Sequence, residues 1–205
     1  GLECVAASEI VLDAQLALYD KVTTAEIDQA LILSAREKIE KEPDYSFAAA
    51  RLLLNTLYKE VFKEGVDSDA FELQYKKTFI QNIKKLVKLD RLNPQLLEFD
   101  LKKLSESIKP ERDLLFKYLG VQILFDRYLL RDGDKVMEST QAFFMRVAMG
   151  LSLNEEDKEG AAIKFYDCFS QLLYTPSTPT LFNSGTTHSQ LSSCYLNTFD
   201  DSIDG

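Results

Sequence analysis

A mainly α-helical fold is predicted, and three observations carry the prediction. Apolar residues recur at three- and four-residue spacing through most of the chain up to about residue 174. The interruption inside that region is one turn signal, Arg131-Asp132-Gly133-Asp134. The periodic pattern then ends at Thr175-Pro176, where two prolines and a glycine replace it. The expected architecture is a helical bundle, with residues 1–43 as an appendage packed directly on it and a change of structure at 176.

The elements follow in order. Thr23-Thr24-Ala25-Glu26 matches a capping box, in which a threonine hydroxyl and a glutamate three residues on satisfy each other's free backbone donors. A helix therefore starts there, carries the stripe Ile27, Leu31, Ala35 and Ile39, and stops at Pro43, with Asp44 placed to cap the next. From Phe47 to Phe62 the residues Ala48, Ala49, Ala50, Leu52, Leu53, Leu54, Leu57 and Val61 are apolar on more than one side. That predicts a central helix joining the two parts. The same periodicity predicts helices over about 68–88, 94–107, 111–130, 139–150 and 155–174, with a small hairpin or loop at 131–134. Asn154-Glu155-Glu156-Asp157 reads as a cap whose carboxylates face a positive helix terminus. Cys4 and Cys168 lie in helical patterns and read as core residues. Past the Pro-rich segment, Gln190-Leu191-Ser192-Ser193-Cys194-Tyr195-Leu196 is a short apolar, β-prone run and predicts a strand.

Composition sets limits on function. A chain of 205 residues can bury a sizeable core. Its 24 Lys+Arg against 33 Asp+Glu give a net charge of -9, which opposes binding to nucleic acid or to an anionic membrane surface. A local phosphate site stays compatible with it. Three cysteines far apart are too few for a disulfide framework or a thiolate metal site, so a reducing, cytoplasmic setting is the default. No apolar stretch approaches the ~20 residues of a membrane span, and a signal-peptide pattern is missing, so a soluble protein is expected. A single histidine, His188, excludes a histidine triad or multi-histidine metal site within the chain, and it reads as a loop surface residue. Gly1-Leu2 without a methionine, and an acidic end at 200–205 directly after the predicted strand, read as a piece of a longer protein.

The chemistry-bearing segment is Thr175-Pro176-Ser177-Thr178-Pro179-Thr180-Leu181-Phe182-Asn183-Ser184-Gly185 with the run that follows it. Together they put a thiol at the edge of a phosphate pocket. Cys194 suits chemistry that delivers reducing equivalents, because two thiols can give up two electrons and close a disulfide. The alternative is a small buried hydrophobe in a strand. Thr178 and Ser193 supply hydroxyls of the kind that phosphate and ribose oxygens need, against the alternative of turn chemistry beside proline. Gly185 reads as a tight backbone turn.

Three strings, Asp44-Tyr45-Ser46-Phe47-Ala48-Ala49-Ala50-Arg51-Leu52, Glu138-Ser139-Thr140-Gln141, and the Pro-rich segment followed by Ser192-Ser193-Cys194, stand in an order that resembles the large subunit of ribonucleotide reductase. Nearly the whole chain is covered. The resemblance implies part of an ATP-cone over 1–43, an all-α domain over 44–175, and over 176–205 the first strand of a ten-stranded α/β barrel. It implies reduction of ribonucleoside diphosphates by radical chemistry, with Cys194 in a redox pair and Thr178 and Ser193 on the substrate. Asp201 and Ser202 match the start of the site for deoxynucleoside triphosphate effectors, or form a solvated acidic loop or helix cap. Thr24 and Lys59 match positions contacting ATP or dATP, or are a helix start and an exposed helical residue; the cone's basic, glycine-containing hairpin does not precede Gly1. The implied partners are a homodimer mate, a ferritin-like small subunit bearing the radical metal cofactor, and thioredoxin or glutaredoxin; no covalent cofactor is implied. The fragment alone is expected to be inactive, since the second redox cysteine and the radical cysteine are not in it. A nucleotide-responsive helical binding or assembly module is the reading from a different class, and a ligand-free helical scaffold is a third.

Overall fold

The computed structural model describes residues 2–62 and 70–198. Helices α1 (Ala7–Gln15), α2 (Thr24–Glu37) and α3 (Tyr45–Phe62) pack in sequence, α1 on α2 and α2 on α3. The capping box forms as the sequence requires: the Thr23 hydroxyl accepts from Glu26 N–H at 3.3 Å, and Thr23 N–H donates to Glu26 Oε2 at 2.8 Å. Hydrogen bonds from the Tyr19 hydroxyl and from Thr23 hold the exposed Glu26 carboxyl down to about 2. Ala35 buries the α2 stripe against Ile10, Tyr45 and Ala49 in a small apolar cluster. The far side of α3, with Leu53, Leu54, Leu57, Val61 and Phe62, belongs to the main core. One helix thus contributes to both clusters, as its apolar width predicts.

Helix α4 (Phe71–Lys88) presents Tyr75, Phe79, Ile83 and Leu86 to that core. The single helix expected over 94–107 is instead a 3₁₀ turn, Pro94–Glu98, followed by α5 (Leu101–Ser107). Local capping splits it: the Asn93 side chain accepts from Gln95 N–H, and the Asp100 carboxylate accepts from the N–H groups of Lys102 and Lys103. The helix expected over 111–130 is likewise broken into a 3₁₀ turn (Pro110–Leu115), α6 (Tyr118–Ile123) and a π turn (Leu124–Tyr128). The break falls at Phe116 and Lys117, whose extended backbone lets the Phe116 ring stack on Phe144 at 6.1 Å between centroids. Strands β1 (Arg131–Asp132) and β2 (Lys135–Val136) make the predicted hairpin, pairing Arg131 with Val136 and Asp132 with Lys135.

Helix α7 (Thr140–Leu151) is the most deeply placed, with every residue from Thr140 to Met149 buried. It packs along α8 (Lys158–Ser170), which the Asp157 side chain caps by accepting from Gly160 N–H. Two sequence expectations fail beyond it. The Pro-rich segment, expected to end the helical pattern, contains a short helix α9 (Thr178–Asn183), because Pro179 sits in the first turn where its missing N–H costs nothing. The strand expected over 190–196 is not formed: residues 187–198 lack regular structure, and the nearest pairing is an isolated bridge between Leu92 and Thr186. A strand's donors and acceptors need a neighbour, and none is present among the described residues. Cys4 is also corrected, since it lies exposed in a turn before α1, whereas Cys168 packs against the main core from α8. No helix among the described residues is long and apolar enough to cross a membrane.

A buried polar network pins the middle of the bundle. Asp113, 1% exposed, accepts from the hydroxyls of Tyr58 (2.5 Å), Tyr75 (3.1 Å) and Thr140, and from Gln141 Nε2 (2.7 Å). Gln141 Oε1 in turn accepts from the Tyr166 hydroxyl at 2.9 Å, which itself accepts from Lys109 N–H at 2.8 Å. Burial raises the Asp113 carboxyl above its ordinary value, and the four hydrogen bonds oppose that only in part. The folded chain therefore holds the Asp113 proton more tightly than the unfolded chain. The contribution is fully present below the ordinary carboxylate range and is lost as pH rises through the folded value. Urea unfolding followed across pH should show the parent's stability advantage over Asp113→Asn shrinking as pH rises above about 4. An advantage that grows with pH would contradict the burial argument.

Candidate functional site

The site begins with the one charge on α7. Arg146 is fully buried, and its Nε donates to Glu138 Oε1 at 2.7 Å while Nη2 donates to Glu138 Oε2 at 3.2 Å. Its Nη1 reaches across to α9 and donates to the carbonyls of Ser184 (2.8 Å) and Leu181 (3.4 Å). Glu138 Oε2 also accepts from Leu130 N–H at 2.9 Å, which fixes the chain where it leaves the π turn. Every arm of the pair is thus used, and that is the condition under which a buried ion pair is tolerated.

Close backbone contact reinforces this clamp. A Cβ on Gly150 would lie 2.0 Å from Gly185 N, so α7 and the turn after α9 meet only because residue 150 has no side chain. Gly185 itself has φ +76°, the left-handed region, and its carbonyl accepts from Asn93 N–H at 3.0 Å. The Ser184 hydroxyl donates to the Val147 carbonyl at 2.7 Å.

From that fixed end, α9 displays its hydroxyls and holds the segment that follows. Thr180 Oγ1 donates to the Leu191 carbonyl at 3.2 Å, and Asn183 Nδ2 donates to the Gln190 carbonyl at 2.6 Å. Ser193 and Cys194 come two and three residues later, within roughly 11 Å of extended chain from the tether. Both are exposed, with Ser193 Oγ 3.7 Å from Cys194 Sγ, so the reading of Cys194 as a buried hydrophobe does not hold. Thr178, exposed at the start of α9, shares a hydrogen bond of 3.1 Å with the Tyr128 hydroxyl. Thr178 thus sits on the same short helix that tethers Gln190 and Leu191, the residues just before Ser193 and Cys194.

The other candidates lie apart. Thr24 opens α2, and Lys59 on α3 forms a 2.6 Å ion pair with Asp28, one helical turn beyond Thr24. These two share the α2–α3 face, separate from α9. Asp201 and Ser202 lie outside the described residues. Cys4, Glu42 and Asp44 bring three possible metal-ligand atoms within 4.8 Å of one another, a surface grouping common without an ion.

Residues 114–189, which carry the Glu138–Arg146 clamp and α9, match the family model described as the ribonucleotide reductase all-alpha domain. The ribonucleoside-diphosphate reductase subunit alpha of Chlamydia muridarum is 47% identical over 186 residues, covering 90% of this chain and 18% of that protein. The chain belongs to the ribonucleotide reductase large-subunit family. The subunit alpha of Helicobacter pylori is 41% identical over the full chain and 25% of its own length, and the large subunit of Monkeypox virus is 35% identical over 92% of the chain and 24% of its own. The chain thus spans about a fifth to a quarter of these relatives.

Sequence reasoning missed Arg146, Tyr128 and Asp28. Arg146 had a usable signal: a lone charge in the apolar run Ala142–Leu151 requires a partner if it is buried. Tyr128 had none, because a π turn leaves no mark in apolar periodicity. Replacing Arg146 by Leu strands the Glu138 carboxylate and should cost about 3–5 kcal/mol in urea unfolding. Amide exchange should also rise through 181–191; unchanged exchange there would mean that Arg146 does not hold α9.

Proposed function

We propose that this chain is part of the catalytic subunit of a ribonucleotide reductase, and that its α9 edge is one wall of the substrate site. The observation that carries the reading is the exposed Ser193-Cys194 pair, tethered by Thr180 and Asn183 to the helix bearing Thr178. Thr178 and Ser193 donate hydroxyl hydrogen bonds to a ribonucleoside diphosphate, and Cys194 is one thiol of the reducing pair. Its partner thiol comes from elsewhere in the full polypeptide, since Cys4 and Cys168 lie on other elements. Two thiols form one disulfide as the ribose 2′ C–O bond is replaced by C–H, and the hydroxyl leaves as water. A separate radical activates the sugar, supplied through a ferritin-like small subunit that carries the metal cofactor; thioredoxin or glutaredoxin then reopens the disulfide.

Regulation follows the same reading. Thr24 and Lys59 face ATP or dATP, with Lys59 countering phosphate charge while shared with Asp28, and Asp201 and Ser202 begin the site for deoxynucleoside triphosphate effectors in a homodimer. The setting is cytoplasmic, in keeping with three free cysteines.

In the full-length large subunit, Cys194→Ser should abolish multiple turnover on nucleoside diphosphates with small subunit and a dithiol reductant, while substrate still binds. Sustained turnover by that variant would remove the redox role. Residues 1–205 alone should make no deoxynucleotide under the same conditions.

A further inference from the structure

We infer that Tyr128 is a positioning residue for the Thr178 hydroxyl, an inference that rests on the substrate-side reading of α9. Tyr128 is the last residue of the π turn Leu124–Tyr128, which closes with Leu129 N–H donating to the Leu124 carbonyl at 3.1 Å. Such turns shift the side chains that follow by one position relative to an α-helix and recur at functional sites. Here the shifted side chain is aimed at α9. The Tyr128 ring stacks on Phe182 at 4.5 Å between centroids and meets Phe143 at 6.2 Å, so it is held between α9 and α7. Two residues on, the Leu130 N–H is bound by Glu138, the partner of Arg146. Ring and backbone are both fixed before any ligand arrives.

The hydroxyl chemistry gives that placement a consequence. Among the described residues, Tyr128 Oη and Thr178 Oγ1 have each other as hydrogen-bond partner, at 3.1 Å. A phenol is the more acidic hydroxyl and the better donor, so Tyr128 donates and Thr178 accepts. The threonine proton is then not spent on this bond and is available to a phosphate oxygen. Without the phenol, Thr178 can rotate to a backbone acceptor beside Pro179, the usual fate of a threonine in a turn.

The test uses the full-length large subunit with its small subunit, comparing the parent, Tyr128→Phe, Thr178→Val and the double variant. Phenylalanine keeps the stack on Phe182 and removes only the donor. Tyr128→Phe should raise KM for the nucleoside diphosphate about 3- to 10-fold, the scale of one neutral hydrogen bond, with kcat within about twofold. The double variant should be no worse than Thr178→Val alone, since both changes remove one interaction. Parent-like KM in Tyr128→Phe alongside a raised KM in Thr178→Val would overturn the positioning role. Multiplied effects in the double variant would overturn it too. Parent-like KM in Thr178→Val would instead overturn the substrate contact on which the inference depends.

Discussion

The buried pair of Arg146 and Glu138 is the constraint on which the arrangement of the site depends. Arg146 is wholly enclosed by apolar helix packing, so each of its donors must find an acceptor or the fold loses several kcal/mol. Glu138 accepts from Nε and Nη2, and the carbonyls of Leu181 and Ser184 accept from Nη1, so each of the three guanidinium nitrogens is bonded. Because those carbonyls end α9, electrostatic satisfaction of one core side chain dictates where the Pro-rich segment lies. Glu138 passes the same constraint to the π turn through Leu130. The two walls that meet at Thr178 and Tyr128 are thus referenced to one ion pair.

A second polar centre sits on the same helix start. Thr140 and Gln141 belong to the Asp113 network, and Glu138, two residues before, belongs to the Arg146 network. The string Glu138-Ser139-Thr140-Gln141 therefore feeds two separate buried clusters, one facing α3, α4 and α8 and the other facing α9. Packing tolerates this because no buried side-chain polar atom among the described residues is left without a partner. The Asp113 carboxylate has four hydrogen-bond donors and, among the described residues, no cation against it, so neutral dipoles compensate its burial in part.

Much of the fold was legible in the sequence. Thr23 and Glu26, Asp157, the stripe of α4 and the turn at Gly133 each form what local chemistry demands, because a cap, a turn or an apolar face is decided within a few residues. The two misread helices share one cause. The stretches 94–107 and 111–130 are helical by periodicity, but they break where a side chain takes another partner: the Asp100 carboxylate accepts from the N–H groups of Lys102 and Lys103, and the Phe116 ring stacks on Phe144. The run at 190–196 is β-prone, yet a strand is a property of two segments, and its hydrogen bonds go instead to Thr180 and Asn183.

The sequence by itself determined the helical class, the cap positions, the family resemblance and the candidate thiol and hydroxyls at Thr178, Ser193 and Cys194. These depend on residue type and short spacing, which a single chain read in order contains. Only the tertiary structure decided that Arg146 holds α9, that Cys194 is exposed, that Lys59 is paired with Asp28, and that Tyr128 meets Thr178. Each joins residues 31 to 50 positions apart or depends on what covers a side chain, and such pairings are set by the need to bury apolar surface while leaving no buried polar group alone.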